Sequence, residues 1–151
     1  MSEKKSPELK RWEDACLEWR YRLDLWDWRF TFEVVDSFDG DTADRATAGR
    51  NVSTPAYKEA TVRVRRTTAR EASDDDLREL ACHEMFHSVF VNLDVFVGTV
   101  IEQIPEPACE MVKEHWREEM ESFVTRMQRT LCRPWITWSD GPERDPRPGA
   151  P

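Results

Sequence analysis

The chain has 151 residues, 39% of them apolar and 34% charged, which fits one modest domain with a single core and polar margins. A formal charge of −8 argues against general affinity for nucleic acid or anionic membranes, because both need clustered Lys and Arg. No run approaching roughly 18 apolar residues stands out as a membrane span, and MSEKKSPELK lacks the apolar middle of a signal peptide. A cytoplasmic protein is expected.

Residues 1–6 read as a flexible start. From Pro7, which suits a first helical turn, Leu9, Trp12, Cys16, Trp19 and Leu23 recur at intervals of three and four, the stripe of an amphipathic helix that packs on a core. WDWRFTFEVVD follows, where Trp28, Phe30, Phe32 and Val34 alternate with Arg29, Thr31 and Glu33, the period of a half-buried strand. DSFDGDTAD lacks the spaced acidic positions and closing glutamate of a calcium loop, so it reads as a solvated turn. ATAGRNVS and EATVRVRR read as two further strands around the turn TPAYK, with Val62 and Val64 facing one way and Arg63 and Arg65 the other. RVRRTTAR, the one basic cluster of the sequence, is expected on an edge strand guarded by its charge.

SDDDLRELACHEMFHSVFVNL opens with Ser73 as N-cap, and Asp74 and Asp75 complement the positive end of a helix. Leu77, Leu80, Ala81, Met85, Val89, Leu93 and Phe96 continue its apolar spacing up to an expected break near Gly98. A second long helix is predicted over IEQIPEPACEMVKEHWREEMESFVTRMQRTL, with Pro105 and Pro107 in its first turn and an apolar face from Cys109 through Trp116 and Phe123 to Leu131. Residues 133–151, rich in proline, glycine and charge, are expected to form a disordered tail. The fold class is therefore α+β, a single domain over residues 7–132 with an N-terminal helix, a small three-stranded and mostly antiparallel sheet, and two further helices.

Cys16, Cys82, Cys109 and Cys132 form no C-x-x-C pair and read as reduced, mostly buried thiols. The stretch CHEMFHS carries the chemistry. His83 and His87 lie four apart on a predicted helix, where side chains differ by about 40° in direction, so two imidazoles reach one ion. Zinc takes such nitrogens in tetrahedral array, with three protein ligands and one open position when the site is catalytic. Glu84, about 100° around the helix from His83, stands beside the ion instead of on it. There it can serve as general base and then acid for a water activated by the metal, the chemistry of peptide-bond hydrolysis.

The third ligand is less defined. Phe90 and Leu93 occupy the positions that an H-x-x-G-x-x-H continuation would need, and Asp94 lies about 10 Å along the helix from His87, reading as a surface or capping residue. The second long helix offers Glu106, Glu110, His115 and Glu121, of which Glu121 borders the apolar face and Glu106 lies near it among prolines.

Through WDWRFTFEVVD, the A-T-A-G-R and EATVRV strands, LACHEMFHSVF and ESFVTRM, residues 7–131 resemble the zincin-like metallopeptidases of phage and prophage genomes, small domains of minimal-gluzincin architecture. That resemblance implies Zn2+ as cofactor and Glu121, ahead of the V-T-R-M run, as third ligand with His83 and His87; Met120 stands where such proteins commonly carry a second acidic residue. It implies a zinc metallopeptidase acting on peptide or protein substrates, with no nucleic-acid or membrane partner, in the host cytoplasm if a phage encodes it. A substrate strand is expected along EATVRVRR, where Arg63 and Arg65 would favour acidic sequences. The alternative is a non-catalytic regulatory or interaction module that keeps zinc for stability alone, against which the presence of Glu84 counts. A DNA-associated protease draws on RVRR only, and the acidic total opposes it.

Overall fold

The structure is a computed structural model that describes residues 5–42 and 47–132. Helix α1 (Pro7–Arg22) leads to strand β1 (Arg29–Val35), strand β2 (Gly49–Thr54), a 3-10 turn (Pro55–Tyr57), strand β3 (Glu59–Arg65), a short helix α2 (Arg66–Glu71), and two long helices, α3 (Asp74–Ile101) and α4 (Ala108–Cys132). This is the expected α+β class. The tail expected over residues 133–151 lies outside the described residues, as do residues 1–4.

The α1 stripe folds as its spacing dictates. Ser6 caps the helix by accepting from the Leu9 amide at 3.2 Å, and Trp12, Cys16 and Trp19 are buried. Each indole then finds an acceptor, Trp12 Nε1 donating to the Val62 carbonyl at 3.0 Å and Trp19 Nε1 to that of Arg78 at 2.8 Å, so burial leaves neither polar atom unpaired. Arg11, next to Trp12, donates to the carbonyls of Ala69 and Ala72 and to Asp74, tying α1 to the entry of α3.

The sheet corrects two expectations. Its strand order is β1-β3-β2, with β1 parallel and β2 antiparallel to β3, so half of its pairing is parallel and β3 is the central strand, not an edge. Ala60, Val62 and Val64 point into the core, and the outward arginines that suggested an edge are neutralised from its neighbours: Arg63 pairs with Glu33 at 2.7 Å and Arg65 with Asp41. Partners that far away in sequence leave no local signal. RTTAR is also not strand but the short helix α2, which buries Ala69 against the core.

Asp41 closes the loop before β2. Its carboxylate accepts from the amides of Phe38 at 2.7 Å and Thr47 at 2.9 Å and pairs with Arg65, whose Nε also donates to the Thr47 carbonyl. Those bonds, the Thr47 amide first, hold its pKa down to about 2, below the roughly 3.9 of an unfolded aspartate. A depressed folded pKa contributes stability above the unfolded value and loses it as pH falls. The expected outcome is that Asp41→Asn lowers the thermal midpoint at neutral pH, and that its deficit relative to wild type fades between about pH 4 and pH 2. Thermal melts across that range check it.

Ser73 caps α3 by accepting from the Asp76 amide at 3.1 Å and donating to the Asp76 carboxylate. The helix runs through Gly98 to Ile101 without the expected break, since one glycine costs about 1 kcal/mol and Gly98 is not held at positive φ. The prolines at 105 and 107 precede α4 instead of lying in its first turn. Contrary to the expectation of no apolar span, α3 is long and apolar enough to cross a membrane by length and composition, as core helices also are. Its buried residues from Leu77 to Ser88 face α1, β2 and α4, whereas between Val89 and Val100 none is buried.

Candidate metal centre

His83 and His87 project from one side of α3 toward α4, and Glu121 projects back from α4. The two Nε2 atoms and the Glu121 carboxylate form a triangle of donor groups: 3.3 Å between the imidazoles, 3.3 Å from His83 Nε2 to Glu121 Oε2 and 3.5 Å from His87 Nε2 to Glu121 Oε1, so each carboxylate oxygen faces one imidazole. Atoms about 2.0–2.1 Å from a tetrahedral zinc lie about 3.3–3.4 Å from one another, so the donor set fits that ion in kind and in spacing.

Proton placement strengthens the fit. His83 Nδ1 lies 3.2 Å from Gln128 Oε1, an acceptor, so Nδ1 carries the hydrogen and Nε2 turns a lone pair toward His87 and Glu121. Lone pairs on converging groups repel unless a proton or a cation lies between them. Burial works against a charge on His83, while the hydrogen bond its protonated ring would donate to the Glu121 carboxylate raises its pKa; burial lowers the pKa of His87; and the His83 contact lowers that of Glu121. The Glu121 side chain is 53% exposed, so one side of the donor set faces solvent.

Glu84 sits beside the triangle with 5% of its surface exposed, and burial pushes its pKa up to about 7 against the pull of His83. Gly49 of β2 makes room for it: a Cβ there would stand 2.9 Å from Glu84 Oε1. A polar network locks the helix to this strand. Asn51 Nδ2 donates to the Glu84 carbonyl at 2.6 Å and to Ser88 Oγ at 2.8 Å, and Ser53 Oγ donates to Asn51 Oδ1 at 2.7 Å. Sequence reasoning missed Gly49, Asn51 and Gln128. A glycine inside a strand pattern was the available signal for close approach, and Gln128 lies seven after Glu121, on the same helix face.

The other candidates lie elsewhere. Glu106 and Glu110 gather with Cys109 at the start of α4, where Cys109 meets Ile101, about 27 Å along α3 from His83. His115 is exposed and belongs to neither group. Asp94 accepts from Trp116 Nε1 at 2.7 Å. Burial raises the pKa of Cys16, Cys82 and Cys132, which keeps these thiols protonated and unreactive.

A cleft of about 880 Å³ opens over the triangle between β2 and α4, lined by Arg50 and Asn51 on one side and Arg117 and Met120 on the other. Arg63 and Arg65 do not line it, and the sheet edge beside it is β2, so the expectation of substrate pairing along EATVRVRR with those arginines is overturned.

Gln128→Leu is expected to weaken zinc binding about 10–100-fold while leaving the fold intact, because it frees the His83 tautomer without removing a donor atom. A competitive chelator titration measures this.

No family model, curated protein or solved structure matches the chain.

Proposed function

We propose that the chain is a zinc-dependent metallopeptidase in which His83, His87 and Glu121 hold the ion and Glu84 moves the proton, as its resemblance to the phage zincin-like peptidases implies. One observation carries this reading: two imidazole nitrogens and a carboxylate converge, with donor atoms 3.3–3.5 Å apart, beside the nearly buried carboxylate of Glu84. A structural zinc site is usually closed by four Cys or His ligands and has no use for such a carboxylate.

Bound zinc would supply a Lewis acid that polarises a carbonyl and lowers the pKa of water in the open position. The chain's own residues do the rest. Glu84 takes the proton of the attacking water and delivers it to the leaving amine, with its main chain fixed by Asn51 and its side chain seated over Gly49. Gln128 keeps the His83 lone pair aimed inward. An extended peptide would add to the free edge of β2, which brings its main chain along the cleft wall.

The test is cleavage of a diverse peptide library by the zinc-loaded full chain. Cleavage that stops on chelation and returns with zinc supports the proposal. A chain that binds zinc at these residues and cleaves nothing would instead be the non-catalytic module.

A further inference from the structure

The outer face of α3 carries a strip that nothing among the described residues covers. Val89, Leu93, Phe96 and Val100 are 40, 45, 65 and 49% exposed. Their spacing of four, three and four, at about 100° per residue, confines them to a strip about 60° wide. Neighbouring α4 occupies another side of the same helix, where Phe90 meets Phe123 at 5.1 Å and Asp94 accepts from Trp116.

We propose that this strip is the seam of a homodimer, in which α3 of a second copy packs against it in antiparallel orientation. Alternation of four and three is the spacing of seam positions in helices that pack along their length. The order of side-chain sizes, Val, Leu, Phe, Val, reads nearly alike from either end. A two-fold axis between Leu93 and Phe96 therefore sets Leu93 against the partner subunit's Phe96 and Val89 against the partner subunit's Val100, large beside large and small beside small. Charge raises no obstacle: between Glu84 and Glu102 the one acidic residue of α3 is Asp94, which faces α4.

The strip exposes on the order of 400 Å² per copy, so pairing withdraws on the order of 800 Å² before the flanks at Asn92, Val97 and Thr99 are added. With them the contact approaches the roughly 1,200 Å² at the low end of specific interfaces, which describes a reversible dimer. A membrane would also take an apolar helix, but the exposed apolar side chains of α3 lie, Val95 apart, on one narrow strip, with the candidate metal centre and Asp94 on another side, which matches a helical partner better.

Sedimentation equilibrium of the full chain from about 5 to 200 µM is the test. The expected result is a concentration-dependent rise toward twice the 17.8 kDa chain mass, abolished in Phe96→Glu with an unchanged circular dichroism spectrum. A wild type that stays monomeric throughout, or a Phe96→Glu variant that still dimerises, overturns the seam. Orientation is read from crosslinking: Val89→Cys/Val100→Cys forms a disulfide-linked dimer under mild oxidation, and Val89→Cys alone does not. Crosslinking of the single variant overturns the antiparallel register. Co-sedimentation of the wild type with phosphatidylcholine–phosphatidylglycerol vesicles, lost in Phe96→Glu, would give the strip to a lipid surface instead.

Discussion

Glu84→Gln should retain zinc and the native fold while cutting kcat/KM on a cleaved peptide by about 10²–10⁴-fold, or roughly 3–5 kcal/mol of transition-state stabilisation. The substitution keeps size and shape beside Gly49, so packing does not change, and Glu84 is not one of the three converging donors. What is lost is the capacity to accept a proton. Steady-state kinetics with parallel zinc analysis and thermal melts would read all three quantities. Undiminished cleavage would remove Glu84 from the mechanism, and loss of zinc together with cleavage would move it into the donor set.

The second large effect concerns the metal itself. An ion that binds only the folded chain stabilises it by RT ln(1 + [L]/Kd), about 2.7–4.1 kcal/mol at 100 to 1,000 times Kd, which for a domain of this size raises the thermal midpoint by about 5–15 °C. His87→Ala and Glu121→Ala should each lose most of that rise, because either leaves two donor groups of three and Glu121 is the group by which α4 meets the Nε2 atoms of both histidines. Glu106→Gln, Glu110→Gln and His115→Ala should keep it, since none of these residues belongs to the triangle. A full zinc-dependent shift in Glu121→Ala would transfer the third position to another residue.

What could be read from the sequence was what depends on neighbours a few positions apart. The α1 stripe of Trp12, Cys16 and Trp19, the Ser73 cap, and the pairing of His83 with His87 follow from helical geometry, and all appear in the structure. Glu121 was preferred through a family resemblance, and α4 does carry it to the two imidazoles, whereas the residues alone left four candidates open. The misreadings arose where distant contacts decide. Alternating valine and arginine made β3 look like an edge, because Glu33 and Asp41, which neutralise Arg63 and Arg65, are 30 and 24 positions away. Gly98 resembled a helix end, yet α3 tolerates it and continues to Ile101. The Asn51–Ser88–Ser53 network was invisible because strand and helix meet only in the fold.

The most direct test of the metal centre is the zinc X-ray absorption spectrum of the loaded full chain. Nitrogen and oxygen neighbours alone, with the multiple-scattering signature of two imidazoles, is the predicted result. Sulfur in the first shell, which would bring in a thiol such as Cys82, or a chain that retains no zinc to measure, would contradict it.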